Sequence, residues 1–113
     1  MTTFRDRLRT TISNTPGTGS CILSTASVSY LTWGTTENGL FFDILVEDGT
    51  DWELAEQCLY TFSTNTLTRG TFIKSSTGSP LVLTSAAIVT NILLAKRMVI
   101  PVDTVANTFY GGL

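Results

Sequence analysis

The sequence has no histidine and few charges of either sign. Charged side chains make up 14% of its 113 residues, and the formal net charge is −2, whereas an average soluble domain is roughly 25% charged. Without histidine, the commonest general base and every Ser–His or Cys–His nucleophile pair are excluded. A net charge this small predicts no broad attraction to nucleic acid or to anionic membranes. We therefore expect neither an enzyme nor a protein with nucleic acid or membrane as its partner.

Long apolar runs are also missing. The longest one, residues 88–100, contains Asn91, Lys96 and Arg97, and it is too short and too polar to cross a bilayer. Charges from position 5 onwards interrupt the hydrophobic region that a signal peptide needs.

Cysteine is scarce, with only Cys21 and Cys58. Two cysteines this far apart form neither a zinc pattern nor a disulfide framework. We expect both cysteines to be small buried hydrophobic side chains in a chain that folds in a reducing cytosol. A single disulfide between them stays open at this point.

The chain is rich in threonine and in short apolar runs separated by turn residues. Threonine is β-branched and suits a pleated surface, and this length fits one domain with one modest core. The pattern predicts an all-β fold over residues 1–100, an antiparallel β-sandwich or barrel-like domain. The uncharged surface equally fits a plain neutral exterior or burial against identical neighbours.

A hairpin is the clearest local prediction. Residues 40–47 and 52–62 are apolar and β-prone, with turn residues between them, and Asp-Gly tolerates positive φ. The residues that we expect to shape this end of the fold are Asp48, Gly49, Thr50, Asp51 and Trp52. Thr50 and Asp51 are predicted to hold the turn by accepting backbone N–H bonds, and Trp52 to cover the end of the core.

Alternation places Phe42, Ile44 and Val46 on the core-facing side of the first hairpin strand. The helix-friendly composition of residues 53–57 predicts a bulge or short turn before Leu59. Further strands are predicted at 4–12, 21–23, 28–32, 67–74, 81–83 and 86–94. Helix is the alternative for the first and the last of these.

Two sets of arginines have predicted partners. Arg5, Arg7 and Arg9 alternate, which places them on one face of the predicted first strand. That face is either solvated or bound to an acidic partner. Arg69 is predicted to pair across strands, and its candidate carboxylates are Glu47, Asp48 and Glu53.

Residues 101–113 differ from the rest of the chain. Val102, Val105, Phe109 and Tyr110 follow one another at roughly helical spacing. We interpret this stretch as a C-terminal arm, with a short helix possible. It either packs on a neighbouring subunit or folds back on its own domain.

Acidic residues and aromatics are the remaining candidates for chemistry. The acidic residues cluster between positions 43 and 56, but their spacing fits a calcium loop only loosely. We predict no metal and no cofactor. Tyr30 and Trp33 have rings that can stack on sugars, although a place in the core is the stronger expectation for both.

Five short motifs occur in a characteristic order. They are Asp6–Thr11, Pro16–Gly19, Glu47–Glu53, Thr66–Arg69 and Ser75–Gly78. Together they resemble a small β module of tailed-bacteriophage virion proteins, which occurs as an attachment domain in tail fibre, tail spike and head-associated proteins. The resemblance covers residues 4–95. Residues 55–58 depart from the glycine-rich spacing of that module, and the region after Pro101 lies outside it.

The resemblance implies a structural virion protein that is made in the host bacterial cytoplasm. Its partners would be other virion proteins, and it would assemble as a homo-oligomer, either a trimer or a ring, that attaches or bridges fibre, tail or head components. The alternative is a carbohydrate-binding receptor-recognition module. A small hydrolase that uses two carboxylates is a weaker third hypothesis.

Overall fold

The structure, a computed structural model, describes residues 2–97. In chain order the strands are β1 (Thr2–Thr3), β2 (Arg9–Ile12), β3 (Cys21–Ala26), β4 (Phe41–Asp48), β5 (Asp51–Thr61), β6 (Thr66–Thr68), β7 (Thr71–Ser75) and β8 (Ile88–Asn91). Within this range the only helical pieces are 3₁₀ turns at Thr35–Glu37, Phe62–Thr64 and Ala95–Arg97.

Six strands close into a barrel. The strand order in the barrel wall is β4, β8, β2, β3, β6 and β5, and the pairing of β5 with β4 closes the barrel. All six pairings are antiparallel. The short β1 pairs in parallel with β4, and β7 continues along the edge of β5, so both lie outside the closed ring. The prediction of an all-β, antiparallel, barrel-like fold is confirmed.

The barrel interior is filled by alternate residues of the strands. Phe42, Ile44 and Val46 are fully buried, as their alternation predicted. Trp33 packs edge-on against Phe42, with ring centroids 5.8 Å apart and an interplanar angle of 85°, which is a favourable aromatic geometry. The core thus confirms Trp33 as an interior residue, whereas Tyr30 is exposed, contrary to its expected place in the core.

The β4–β5 hairpin contains the predicted bulge. Phe42 lies opposite Cys58 while Ile44 lies opposite Ala55, so β5 carries one extra residue between these pairs. Gln57 takes up the irregularity with φ of +58°. At the other end, Gly49 has φ of +64° in the turn between Asp48 and Asp51.

The predicted strand 67–74 is wrong as a single element, because it breaks into β6 and β7 at Gly70. The break lies opposite the β5 bulge. A β-carbon at Gly70 would overlap the carbonyl oxygen of Glu56 and come within 2.5 Å of that of Gln57. The bulge pushes these carbonyls toward the neighbouring strand, and only glycine fits beside them.

The predicted strand 4–12 is wrong over its first half. Only Arg9–Ile12 is strand, and Arg7 has φ of +66° within a turn. Arg5, Arg7 and Arg9 therefore do not share a strand face. The turn is fixed by hydrogen bonds to Leu31, which accepts from the Arg9 N–H (3.0 Å) and donates to the Arg7 carbonyl (2.6 Å).

The other strand predictions had mixed outcomes. Residues 28–32 and 81–83 form no strand, since they contribute only isolated bridges, from Leu31 to Leu8 and from Leu83 to Gly17. Strand was the right choice over helix near the end of the domain, although β8 is shorter than the predicted 86–94. The predicted arm 101–113, with Phe109 and Tyr110, lies outside the described residues.

Candidate assembly surface

A patch of exposed apolar and basic side chains lies beside the start of β2. Val28, Tyr30 and Leu31 are 92%, 40% and 60% exposed, and the guanidinium groups of Arg7 and Arg9 flank the tyrosine ring. We call these five residues the Tyr30 surface. Phe4, three residues before Arg7, is also exposed. Large aliphatic side chains this open to water are a common feature of contact sites.

Two turns form the Tyr30 surface, and backbone hydrogen bonds join them. In addition to the two bonds of Leu31, the Ser27 N–H donates to the Arg9 carbonyl at 2.9 Å. Arg7 and Ser29 both have φ of +66°, a left-handed conformation that costs a non-glycine residue on the order of 1 kcal/mol. The Arg7 guanidinium also donates to the Ser29 carbonyl. These contacts fix the shape of the surface.

The arginines of this region differ in how their charges are balanced. The Arg9 guanidinium lies 5.6 Å from the Tyr30 centroid and 3.5 Å from the Glu47 carboxylate. Arg5 lies 3.5 Å from the Glu37 carboxylate. Arg7 lies 5.2 Å from the Tyr30 centroid, a cation–π distance, and no carboxylate of residues 2–97 is within 4.0 Å of it. Every other arginine of residues 2–97 is paired with a carboxylate. A carboxylate from another molecule can therefore pair with Arg7 without displacing a carboxylate of the described chain.

A shallow pocket of about 450 Å³ adjoins this surface and shares Leu31 with it. Arg5 and Asp6 line one side, and the 3₁₀ turn Thr35–Glu37 lines the other. The Glu37 carboxylate is occupied, since it accepts hydrogen bonds from the Gly34 N–H (2.8 Å) and the Thr36 hydroxyl (2.6 Å). The pocket thus gives the Tyr30 surface a concave border.

Arg69 lies inside the fold and not at a contact surface. Its guanidinium is 2.7 Å from the Glu53 carboxylate, and both side chains are buried. Glu53 is one of its three predicted partners, so this pairing is confirmed. The guanidinium also donates to the carbonyls of Gly17 (2.8 Å) and Leu81 (2.9 Å). No pattern in the sequence indicates that Arg69 also holds these two loops against the barrel.

The pairing of Asp48 with Asp51 closes the turn of the β4–β5 hairpin, and the side chains of both residues bond to later loops. The Asp48 carboxylate accepts from the Thr84 N–H (2.6 Å) and hydroxyl (3.0 Å), and Asp51 accepts from the Ser76 hydroxyl (3.0 Å). The predicted role of Thr50 and Asp51 in bonding the backbone of their own turn is therefore wrong. Trp52 is half-buried on the outer side of β5, because the inward positions are Glu53 and Ala55. The prediction that Trp52 covers the end of the core is therefore wrong.

A second pocket, of about 490 Å³, lies between this hairpin end and the loop of residues 77–84. Asp48 and Asp51 line it together with Val82. Within residues 2–97 no three histidine, cysteine or acidic side chains are grouped so that they can hold a metal ion. Both carboxylates already accept hydrogen bonds from hydroxyls, so their arrangement serves to join loops.

A network of four charged residues fixes the end of the described chain. Arg97 donates to the fully buried Asp43 carboxylate at 2.5 Å and to Glu56 at 2.7 Å. Lys96 lies 2.7 Å from the same Glu56 oxygen. The hydrogen bond to Asp43 is the main reason that the pKa of Arg97 is raised above its usual value. No local sequence pattern predicts this network, because its members are separated by up to 54 residues.

Cys21 and Cys58 are free thiols and fully buried, which confirms that both are buried hydrophobes. Burial raises the pKa of Cys21 to about 11 and that of Cys58 to about 12. A buried thiol of high pKa forms little thiolate and reacts slowly.

Stability is therefore expected to fall as pH rises above about 9, the ordinary pKa of both thiols. Below that pH both states keep these protons. Above it the unfolded chain loses them first, so their contribution to stability is lost as pH passes through the folded values of about 11 and 12. Urea unfolding at pH 8 and pH 10.5 measures the loss, and a Cys21→Ala/Cys58→Ala double variant should show a smaller pH dependence. An equal dependence in both proteins contradicts the prediction.

No family model matches the chain, and neither a curated protein nor a solved structure matches it. Among the helical pieces of residues 2–97, none has the length and apolar character to cross a membrane. The function proposed below therefore depends on the resemblance of the motifs and on the surface just described.

Proposed function

We propose that this chain is a structural protein of a tailed-phage virion, which assembles as a homo-oligomer and attaches or bridges fibre, tail or head components. Its mechanism is non-covalent binding of other polypeptides. The observation that carries the proposal is the Tyr30 surface, where exposed apolar side chains lie beside arginines that flank an aromatic ring. The ordered motifs from Asp6 to Gly78 support the virion context.

The composition of the surface supports polypeptide binding. Tyrosine and arginine are enriched among the residues that dominate protein interfaces, especially where surrounding contacts exclude water. Leu31 and Val28 supply apolar area, each buried square ångström of which is worth roughly 25 cal/mol. Arg7 supplies a charge that can select an acidic group on the partner.

The rigidity of the surface also supports this function. Its two turns are bonded to each other and to β2, so binding orders little additional backbone. Preorganised surfaces lose less of their interaction energy to ordering. The departures of Arg7 and Ser29 from ordinary backbone angles are consistent with a shape that is maintained for contact.

Leu31→Asp is expected to weaken binding of the chain to its particle at least about tenfold, because a charge replaces a contact side chain. The melting temperature should stay within about 2 °C, since Leu31 is mostly exposed. Val82→Asp is the matched control, an exposed aliphatic residue outside the Tyr30 surface. The measurement is the number of tagged chains per purified phage particle, by quantitative mass spectrometry.

The same experiment tests the proposal as a whole. Absence of the wild-type chain from purified particles contradicts a virion role. Presence of the chain with equal copy numbers for Leu31→Asp and wild type contradicts the Tyr30 surface as the contact site.

A second candidate function, carbohydrate binding, is favoured by one observation, the exposed ring of Tyr30. Trp33 does not support it, because this side chain is only 2% exposed and lies in the core. A glycan array probed with the wild type and with Tyr30→Ala distinguishes the two functions, since saturable glycan binding that requires Tyr30 favours the receptor module.

A further inference from the structure

The chain contains a second apolar element besides the Tyr30 surface, residues 98–113. Asp103 is its only charged side chain, and Phe109 and Tyr110 are its aromatic residues. A segment of this composition gains free energy by burying its apolar side chains, and the Asp103 carboxylate is best buried beside a cation.

The Tyr30 surface has the complementary composition. Leu31 and Val28 are open to apolar contact, and Arg7 has no carboxylate of residues 2–97 within ion-pair distance. The segment thus has one negative side chain among apolar residues, and the surface has one positive side chain that no carboxylate of residues 2–97 pairs with, beside apolar residues.

The direction of the chain before residue 98 indicates which copy is bound. Around the barrel the order is β2, β8, β4, β5. After β8 the Ile92 N–H donates to the Asp43 carbonyl on β4 (3.1 Å), and Arg97 then reaches Glu56 on β5 (2.7 Å). The Arg97 side chain thus contacts both β4 and β5, and it is directed away from β2, which borders its own Tyr30 surface. This direction favours the surface of another copy.

We infer that residues 98–113 bind the Tyr30 surface of a second copy of this chain, with the Asp103 carboxylate paired to the partner copy's arginine at position 7. The inference rests on the proposed function, because it names the partner of the same surface. Each copy gives one segment and receives one. Reciprocal exchange closes a dimer, and sequential exchange closes a ring.

Two charge-reversal variants test this inference with the full chain. Arg7→Glu reverses the surface and Asp103→Arg reverses the segment. Each alone places like charges together, and its dissociation constant for self-association should rise about tenfold or more. An equimolar mixture of the two variants should assemble again, because every contact between unlike copies then joins opposite charges. Sedimentation velocity gives the dissociation constants, and native mass spectrometry should show that the oligomers of the mixture contain both variants.

Lys74→Glu, a charge reversal at an exposed position of β7, is the control and should assemble like wild type. Thermal melts verify that every variant is folded. The inference is overturned if either single variant assembles like wild type, or if the mixture associates no better than the separate variants. A wild-type chain that is monomeric at 100-fold the concentration found in infected cells also overturns it, while the particle experiment decides the proposed function independently.

Discussion

Arg69→Ala is expected to lower the free energy of unfolding by about 3–5 kcal/mol, the usual cost of removing one partner from a buried ion pair. The substitution leaves the Glu53 carboxylate buried without a cation. It also removes the guanidinium donors to the Leu81 carbonyl and to the Gly17 carbonyl, of which Gly17 keeps its bond from the Leu83 N–H at 2.8 Å. Urea unfolding, followed by tryptophan fluorescence, measures the change.

Two further variants separate charge from packing at this site. Arg69→Lys keeps the charge but cannot supply the fork of donors that reaches three oxygens, so its stability should lie between those of wild type and Arg69→Ala. Arg69→Met with Glu53→Leu removes both charges and should be more stable than Arg69→Ala alone, since no unpaired charge stays buried. If Arg69→Ala unfolds at the wild-type urea concentration, the buried pair does not stabilise the fold.

Gly70→Ala is expected to be about as damaging, although it adds a single methyl group. The new carbon would overlap the carbonyl oxygen of Glu56 and approach that of Gln57 within 2.5 Å. Both obstacles are backbone atoms of the β5 bulge, which cannot move aside as a flexible side chain does. We expect a loss of about 3 kcal/mol or more, at or beyond the upper end of ordinary overpacking.

Gly34→Ala is the matched control for this prediction. Its β-carbon would meet only the Glu37 carboxylate, at an ordinary 3.7 Å, and its φ of −140° suits any residue. Its stability should stay within about 0.5 kcal/mol of wild type. If both alanine variants have the same unfolding midpoint, the prediction is wrong. The backbone of β5 then shifts to accommodate the added methyl group, and glycine is not required at position 70.

Elements whose local residue pattern matches their environment in the folded barrel could be predicted from the sequence. The alternation of Phe42, Ile44 and Val46 is a period of two on a half-buried strand, and the barrel preserves it. The bulge near Gln57 was also predictable, because helix-friendly residues interrupt a β-prone run. The break at Gly70 was not, since it is imposed by carbonyls of another strand.

The first strand shows why alternation alone is insufficient. Arg5, Arg7 and Arg9 have the spacing of a strand, yet Arg7 adopts a left-handed conformation that its contacts with Leu31 and Ser29 maintain. Such a conformation depends on residues more than twenty positions away and has no local signature. Likewise, both tryptophans were expected at the core, and only the register of β5 shows that Trp52 faces outward whereas Trp33 is buried.

The candidate site could be predicted only in part. The basic character near the amino terminus was evident, but the pairing of Arg5 with Glu37 and of Arg9 with Glu47 was not, so the distinct state of Arg7 had to come from the structure. For Arg69, cross-strand reasoning gave three carboxylates, and burial of Glu53 selected one. Asp43 and Arg97 form an ion pair although they are 54 positions apart. No spacing pattern in the sequence indicates such a pair.

The position of β8 in the barrel has a consequence for biosynthesis. This strand lies between β4 and β2 and pairs with both, although it is the last strand in the described chain. The ring therefore cannot close until residue 91 has left the ribosome, and earlier nascent chains expose the facing edges of β2 and β4. Because unpaired strand edges invite association with other chains, translation that stalls before this point should yield a product prone to degradation or aggregation.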